Sequence, residues 1–328
     1  MHNRSGLVKI AAGWLLGLLL AASAAVITIQ LVNTNYFGPQ QRVQEYLQAL
    51  HDGDGAKALG LLQATVPDAN AAVLDGEGLK AAAAGTSNVH LGNPASQPDG
   101  RVKIDVDYTI DGTALSTNFL LEPTGTRWLF FTSWDLVPTT LPTLDVSVVN
   151  ETQAALNGVQ VNMPSGRNSF AVFYPGRYTA EFQSQYFRAP AVTSTVSSAN
   201  GKPAAVALDT EPTSALLTQV NSKVHQYLDG CAKQEVLLPA ACPFSNRTDN
   251  RVLGPINWSV VSYPKINISA YGGKWVLAPL TVTAQVDYKE QQLYSGAISE
   301  VKTAQDFGFT AKLKVSETGI SVTPVVEY

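Results

Sequence analysis

Two cysteines have the residue type and spacing that predict a definite chemistry. Cys231 and Cys242 are the only cysteines among the 328 residues. Their spacing is too wide for a redox C-x-x-C motif, and no histidine lies near enough in the sequence to predict a zinc site. Outside the cytoplasm, two lone cysteines are most simply explained by a disulfide, with a free or intermolecular thiol as the alternative. We therefore predict a structural disulfide.

Two serine–lysine pairs have the spacing used by penicillin-binding enzymes. Ser262 and Lys265 form one pair, and Ser299 and Lys302 form the other. That chemistry also needs a K-T-G strand, which the sequence lacks, and such pairs arise by chance at this composition. The sequence also contains no G-x-S-x-G, H-E-x-x-H or P-loop motif. We therefore expect a protein that is not an enzyme and that uses no metal or cofactor.

Two groups of acidic residues could be interpreted as proton-transfer or metal sites. His51, Asp52 and Asp54 surround a glycine-interrupted turn, where Asp54 is placed to cap the next helix. Asp105 and Asp107 fall on the same face of a predicted strand, so they do not oppose each other across a cleft. Turn chemistry and a solvated strand face explain both groups better than catalysis does.

Two aromatic stripes could line a binding surface. The first occupies one face of a predicted strand and comprises Trp128, Phe130 and Trp134. The second lies in the middle of the chain and comprises Tyr178, Phe182 and Tyr186. Exposed rings of this kind could line a ligand wall, stack on sugar rings or meet a partner. Buried rings would be ordinary core, so both interpretations stay open.

The segment near the start of the chain has the length and composition of a membrane-spanning helix. Residues 10–32 contain no charge, and the next charged residue is Arg42. As a helix, this run can cross the roughly 30 Å of a bilayer's hydrocarbon core. Because Arg4 and Lys9 precede it, the positive-inside rule places residues 1–9 in the cytoplasm and the chain after residue 32 outside. We predict a single-pass anchor in the lipid bilayer.

A cleaved signal peptide is the alternative interpretation of the same segment. The small residues Ala22, Ser23 and Ala24 resemble a cleavage motif, and cleavage near Ala24 would give a secreted protein. The apolar run continues from Val26 to Val32, past that motif, which favours a retained anchor. Both interpretations export the rest of the chain.

Composition excludes several classes of partner. Charged residues make up 15% of the chain and the net charge is −4, whereas about 25% charged residues is usual in soluble proteins. No block of lysine or arginine occurs, so electrostatic attraction to nucleic acid, to anionic lipid or to a polyanionic wall polymer is not expected. The length suits two or three domains.

Periodicity after the anchor predicts an α+β fold with three modules. Residues 38–138 combine helices with an antiparallel meander, residues 142–212 form a small all-β sandwich, and residues 213–328 begin with a helix that strands follow. The predicted architecture is therefore two cone-like helix-plus-meander modules that flank a β-sandwich. The disulfide falls in the third module.

Local patterns in the first module are specific enough to test. Val43, Leu47 and Leu50 form one helical stripe, and the glycine-rich run after it should end the helix. Residues 101–110 alternate between apolar and polar side chains, as a half-buried strand does. Asp111-Gly112 and Thr124-Gly125 are predicted turns.

The third module repeats landmarks of the first. Val106-Asp107-Tyr108 matches Val286-Asp287-Tyr288, and each match precedes a Thr-Gly pair and a final strand. Together with the shared helix-then-meander order, this match suggests an internal duplication.

The modules resemble known envelope domains. The segment VQEYLQALHDGDGAKALGLL and the closing TGTRWLFF resemble the nuclear-transport-factor-two-like or cystatin-like cone, in which helices cover a curved antiparallel sheet. The segments VVN (148–150) and YPGRY (174–178) resemble small β-sandwich modules of the PEGA type. A single anchor followed by this order of modules resembles the teicoplanin-resistance-associated envelope proteins. That resemblance covers the architecture more than the sequence.

The resemblance implies no catalytic residues. The anchor, the extensive sheet surface and the lack of an assembled nucleophile, base or metal site in the sequence together lead to the main hypothesis: a single-pass, extracytoplasmic protein that is not catalytic and that binds a cell-wall component or a membrane partner. The zinc ribbon that often precedes the anchor in that family has no counterpart here, so its cytoplasmic role does not carry over. A small-ligand carrier or sensor that uses a cone cavity, a hydrolase with a scattered site and a purely structural spacer are the alternatives.

Overall fold

A computed structural model describes residues 4–36, 38–127, 131–316 and 319–326. The fold is mixed α+β, with 24% helix and 46% strand, and it begins with an apolar helix. The α+β class and the N-terminal helix are therefore confirmed, whereas the cone and sandwich modules stay a prediction.

The chain folds as two compact units, each of which is discontinuous in sequence. Unit 1 comprises Met1–Ser147, Gln153–Ala180 and Ala191–Ala207. Unit 2 comprises Val148–Thr152, Glu181–Pro190 and Leu208–Tyr328. The module boundaries that the sequence suggests near residues 138 and 212 stay predictions.

Four of the described helices precede the strands of the first sheet, and the fifth precedes the strands of the last sheet. They are α1 (Arg4–Tyr36), α2 (Pro39–Asp52), α3 (Gly55–Leu62), α4 (Gly76–Ala84) and α5 (Ser214–Ala232).

The described strands are short in the middle of the chain and long near its end. The strands of the first part are β1 (Thr86–Leu91), β2 (Ala95–Ser96), β3 (Val102–Ile110), β4 (Thr113–Arg127) and β5 (Phe131–Leu136). The middle strands are β6 (Thr143–Val148), β7 (Gln153–Leu156), β8 (Val159–Asn162), β9 (Arg167–Ala171), β10 (Gly176–Gln183), β11 (Phe187–Val196), β12 (Val206–Leu208) and β13 (Glu211–Pro212). The last strands are β14 (Arg251–Ser262), β15 (Ile268–Tyr271), β16 (Lys274–Leu277), β17 (Leu280–Gln291), β18 (Ile298–Ser316) and β19 (Gly319–Val325).

Hydrogen bonding joins these strands into separate sheets. The first has the order β1-β3-β4-β5, with β2 paired to β3. The middle strands form a sheet of order β13-β11-β10-β7-β8 and another of order β12-β6-β9. The last strands form the sheet β14-β17-β18-β19 and the hairpin β15-β16.

Helix α2 buries one face in the core of unit 1. Val43, Tyr46 and Leu50 are buried, whereas Leu47 is only partly covered. The predicted stripe is therefore wrong at its middle position. Tyr46 takes that place because its hydroxyl reaches a buried acceptor, the carbonyl oxygen of Tyr174, at 2.6 Å, which satisfies its one polar group inside the core.

The turn between α2 and α3 requires glycine. Gly53 has φ +74°, and a Cβ there would lie 2.6 Å from the carbonyl oxygen of Gly76. The backbone N–H of Lys57 donates to Oδ1 of Asp54 at 2.9 Å, so Asp54 caps α3. The predicted break and cap are confirmed.

Strands β3 and β4 form the centre of the sheet in unit 1. Apolar side chains of β3 are buried at alternate positions, as the sequence predicts, and Asp111 and Gly112 join the two strands in a two-residue turn. The predicted turn at Thr124-Gly125 is wrong, because β4 continues to Arg127. The pairing of β4 with β5 shifts register between Pro123 and Gly125, and such an irregularity accommodates a proline that cannot donate to the ladder.

In unit 2, helix α5 and the four-stranded sheet contribute side chains to the same core. Leu216, Val220, Val224 and Leu228 form the buried stripe of α5. Phe244, Trp258 and Phe307 belong to the same core, with ring centroids 5.4–5.9 Å apart. The helix predicted at the start of the third module is confirmed.

Candidate membrane anchor and binding surfaces

Helix α1 is long and apolar enough to span a membrane. It contains 33 residues, which corresponds to about 50 Å at 1.5 Å per residue. The apolar part, Ala12–Gln30, contains 19 residues, and none of it is buried inside the protein. A soluble core helix would bury such a surface.

Two hydroxyl groups within the apolar part of α1 are hydrogen-bonded to the helix itself. The hydroxyls of Ser23 and Thr28 donate to the carbonyl oxygens of Leu19 and Ala24, each at 2.8 Å. Hydrocarbon offers no hydrogen-bond partner, so internal satisfaction of this kind lowers the free-energy cost of placing these hydroxyls in a bilayer.

Cys231 and Cys242 are joined in a disulfide. Cys231 lies in the last turn of α5, and both residues are buried. Gln234 spans the closed loop, because its Nε2 approaches Cys242 Sγ at 3.4 Å and its Oε1 accepts from the N–H of Ala240 at 2.8 Å. The predicted pairing is confirmed, and a disulfide fits an extracytoplasmic domain.

The first aromatic stripe is described at one of its three positions. Trp128 and Phe130 lie outside the described residues. Trp134 is partly buried on β5, where its carbonyl oxygen accepts from Nε of Arg42 at 2.9 Å. The same guanidinium contacts Asp135 at 3.1 Å. The use of this stripe as a ligand surface stays a prediction.

The second aromatic stripe is divided between the two units. Tyr178 belongs to unit 1, where it is fully buried and its hydroxyl donates to the carbonyl oxygen of Phe173 at 3.0 Å. Phe182 and Tyr186 belong to unit 2, where Tyr186 lies in the core and Phe182 packs against it. Tyr178 and Tyr186 thus contribute to packing, and their use in binding stays a prediction.

Two of the polar pairs singled out in the sequence lie on strands. Ser299 and Lys302 lie three residues apart on the same strand, β18, so their side chains point to opposite faces of it. Asp105 contacts Lys103 of its own strand at 3.1 Å. Among the described residues, no three His, Cys, Asp or Glu side chains are grouped so that they could hold a metal ion.

Three tyrosines in the core of unit 1 have raised pKa values. Burial raises the pKa of Tyr46 well above its usual value, and the nearby Tyr174 and Tyr178 raise it further. Burial also raises the pKa of Tyr174 to about 12 and that of Tyr178 further still. Desolvation of the phenolate is the cause in each case.

A carboxyl group beside an aromatic pair in unit 2 was not predicted. Phe187 and Trp275 stack with centroids 4.2 Å apart. Burial raises the pKa of Glu151, and a hydrogen bond with the Trp275 side chain opposes that shift. No sequence pattern connects residues this far apart in the chain.

A second group found only in the structure lies on α5. His225 stacks on Tyr263 with centroids 3.7 Å apart, and the Tyr263 hydroxyl donates to the carboxylate of Asp229. That hydrogen bond, followed by burial, raises the pKa of Tyr263. The spacing of His225 and Asp229 on one helix could have suggested half of this group.

The turn between β17 and β18 exposes apolar side chains. We call residues 291–299 the hairpin tip; they read QQLYSGAIS and contain no charge. Leu293, Tyr294 and Ile298 are 72%, 107% and 64% exposed. The uncharged run between Glu290 and Glu300 was the available sequence signal.

Fold and site together define a mixed α+β protein with an N-terminal helix able to span a membrane and a disulfide in its second unit. Comparisons with protein families, with curated proteins and with solved structures found no match to the chain.

Proposed function

We propose that the protein is a single-pass membrane protein that exposes its α+β units outside the cytoplasm and binds an envelope component or membrane partner there, without catalysing a reaction. The observation that carries this proposal is that none of the apolar part of α1 is buried inside the protein. In this proposal, the anchor holds the protein at the membrane, and the surfaces of the exported units bind the partner.

Exposure of α1 favours a bilayer over water for energetic reasons. Leu15, Leu16, Leu18, Leu19 and Leu20 are each about 60–67% exposed. Moving a leucine side chain from water to an apolar environment is favourable by about 1.5–3 kcal/mol when burial is complete. Five leucines on one helix therefore favour insertion by several kcal/mol, and the internally bonded hydroxyls add little opposing cost.

Two observations support the extracytoplasmic side. Arg4 and Lys9 precede the apolar run, which places the short N-terminal segment in the cytoplasm. The Cys231–Cys242 disulfide fits an oxidising compartment. The resemblance to the teicoplanin-resistance-associated envelope proteins supports the same arrangement.

A binding role through surfaces is favoured over a carrier role by the packing of unit 1. The inward face of β3 and β4 is filled by side chains such as Ile104, Val106 and Phe119, all buried. The ring of Tyr46 meets Phe119 edge-on, with centroids 5.6 Å apart. A cone cavity for a small ligand would need that face to be open.

Membrane integration and topology test the anchor. The full chain, expressed in a host cell that is bounded by a single membrane, should stay in the membrane pellet after carbonate extraction. Added protease should digest the part after residue 36 from the outer side. Leu18→Arg together with Leu19→Arg should release the chain into the soluble fraction, because each arginine at a helix centre costs about 2.5–3.5 kcal/mol.

The matched control places the same charges elsewhere. Val261→Arg with Leu238→Arg changes two exposed apolar side chains of unit 2 and should leave the chain in the pellet. Recovery of the unaltered chain in the soluble fraction would contradict the anchor.

Retention of partners tests the binding role. The detergent-solubilised full chain, immobilised through a C-terminal tag, should retain wall fragments or a defined membrane protein from an envelope extract. Retention of neither would support a structural spacer and contradict the proposed binding function.

A further inference from the structure

We propose that the hairpin tip inserts into the interface of a lipid bilayer, as a second membrane contact in addition to α1. This inference rests on the proposed function, since it requires the chain to be tethered to a membrane. The tip lies in unit 2, whereas α1 lies in unit 1, so the two contacts come from different units.

The apolar side chains at the tip are those that a bilayer interface accepts. Leu293 and Ile298 are aliphatic, and Tyr294 combines an apolar ring with a polar end, a combination that is enriched where lipid meets water. These three lie within residues 293–298, and each is more than 60% exposed. The tip therefore carries three exposed apolar side chains close together in the chain.

The turn satisfies many of its own polar groups. The N–H of Gln292 donates to Ala297 and the N–H of Gly296 donates to Gln292, both at 2.9 Å. The Ser295 hydroxyl donates to the Gln292 side chain at 2.7 Å and accepts from the N–H of Ala297 at 3.2 Å. Lipid cannot replace hydrogen bonds lost from water. A protein partner could supply its own, so this internal network favours lipid as the occupant.

The tip is held by a long, regular ladder. Strands β17 and β18 pair continuously from Leu280 with Phe309 to Gln291 with Ile298. Arg251 of β14 also pairs with Gln291, so three strands support the base of the tip. A pre-ordered tip loses little conformational entropy when it inserts.

Charges at the base of the tip balance. Arg251 and Lys289 are cationic and Glu290 and Glu300 are anionic, and Lys289 pairs with Glu300 at 3.2 Å. The insertion we infer is therefore driven by apolar contact, and it should be equally deep in zwitterionic and in anionic lipid. A weak contact suffices, because a tethered chain meets its bilayer at a high effective concentration.

Spin labels on the full chain test this inference. Both native cysteines are in the disulfide, so one introduced cysteine labels selectively. Tyr294→Cys reports on the tip, Leu20→Cys reports on α1, and Tyr271→Cys, at an exposed turn of unit 2, is the matched control. The chain is reconstituted in phosphatidylcholine nanodiscs, and collision of each label with oxygen and with a water-soluble nickel chelate is measured.

The label at 294 should collide with oxygen several-fold more than with the nickel chelate, and the label at 271 should show the reverse. Adding Leu293→Ser and Ile298→Ser should move the label at 294 into water, with unchanged unfolding of the protein. The result at 294 should persist when phosphatidylglycerol is included.

Two outcomes would overturn the proposal. Nickel accessibility at 294 equal to that at 271 would place the tip in water. Exclusion of both reagents at 294 would place it against protein instead of lipid. A label at 20 outside the lipid would refute the anchor itself, so failure of the proposed function is distinguished from failure of this inference.

Discussion

Whether a tyrosine side chain is buried in this protein depends on whether its hydroxyl can find a hydrogen-bond partner. Tyr46 is buried with its hydroxyl on a carbonyl oxygen, whereas the wholly apolar Leu47 next to it stays half-covered. A buried tyrosine is therefore held both by the hydrogen bond of its hydroxyl and by the packing of its ring. Both interactions depend on the hydroxyl keeping its proton.

Alkaline pH should destabilise unit 1. Burial holds the pKa values of Tyr46, Tyr174 and Tyr178 above the usual value near 10. Above about pH 10 the unfolded chain loses these protons while the folded chain keeps them, so stability is full below that pH and falls as pH rises. Denaturant unfolding in detergent at pH 8, 10 and 11 should show a decreasing free energy.

Tyr174→Phe should reduce the loss between pH 10 and 11, since the pKa of Tyr174 is about 12 in the folded protein. Tyr271→Phe, at an exposed site, should leave the loss unchanged. Equal pH dependence in all three proteins would show that buried phenols do not control it.

The disulfide should stabilise unit 2. Replacing both Cys231 and Cys242 by serine should lower the free energy of unfolding by about 3 kcal/mol, because the loop they close gains freedom in the unfolded chain. Denaturant curves with and without reductant measure this change. Reductant should shift the wild-type curve and leave the double variant unmoved, whereas an unmoved wild type would refute a stabilising bond.

Elements in this protein begin and end where a local hydrogen bond or a glycine allows it. Helix α3 starts at the Asp54 cap, and α5 starts at Thr213, whose Oγ1 accepts from the N–H of Leu216 at 3.3 Å. The Asp54 cap was predicted from the sequence, because a cap acts within one turn, whereas the Thr213 cap was found in the structure.

Removing the cap of α5 should loosen its first turn. Thr213 also donates from Oγ1 to the carbonyl oxygen of Gln185 at 2.8 Å, so Thr213→Ala loses two hydrogen bonds. We expect a stability loss of about 1 kcal/mol and faster amide exchange near Leu216. Thr213→Ser keeps the hydroxyl and should restore most of the protection. Unchanged exchange in the alanine variant would contradict the capping role.

Across the whole molecule, helix α1 is the element on which the proposed location depends. Its 19-residue apolar window is not buried inside the protein, and the hydrophobic effect favours lipid over water for such a surface. In the proposed topology, the charges that flank this helix determine which end stays in the cytoplasm.

Reversing the flanking charges should disturb the topology. Arg4→Glu with Lys9→Glu should reduce the outside signal of a C-terminal phosphatase reporter several-fold, because the retention signal for the N-terminal segment is lost. Lys57→Glu with Lys80→Glu makes the same charge change beyond the 15–20 residues over which the rule acts and should keep the signal. A full signal from the first variant would show that other features orient the helix.

Features that depend on local period and length could be predicted from the sequence. The apolar helix α1 follows from an uncharged run and β3 follows from strict alternation. The α2–α3 turn follows from glycine and a cap, and the disulfide follows from there being two cysteines. Each of these needs at most one element, or one covalent bond, to be specified.

Contacts between distant side chains became known only from the folded protein. Tyr46 rather than Leu47 enters the core, the ladder of β4 absorbs Pro123, and Glu151 lies beside Trp275. The uncharged tip also becomes an exposed apolar surface only once β17 and β18 pair. These outcomes depend on contacts between residues far apart in the chain, and packing energy between distant segments leaves no periodic trace in the sequence.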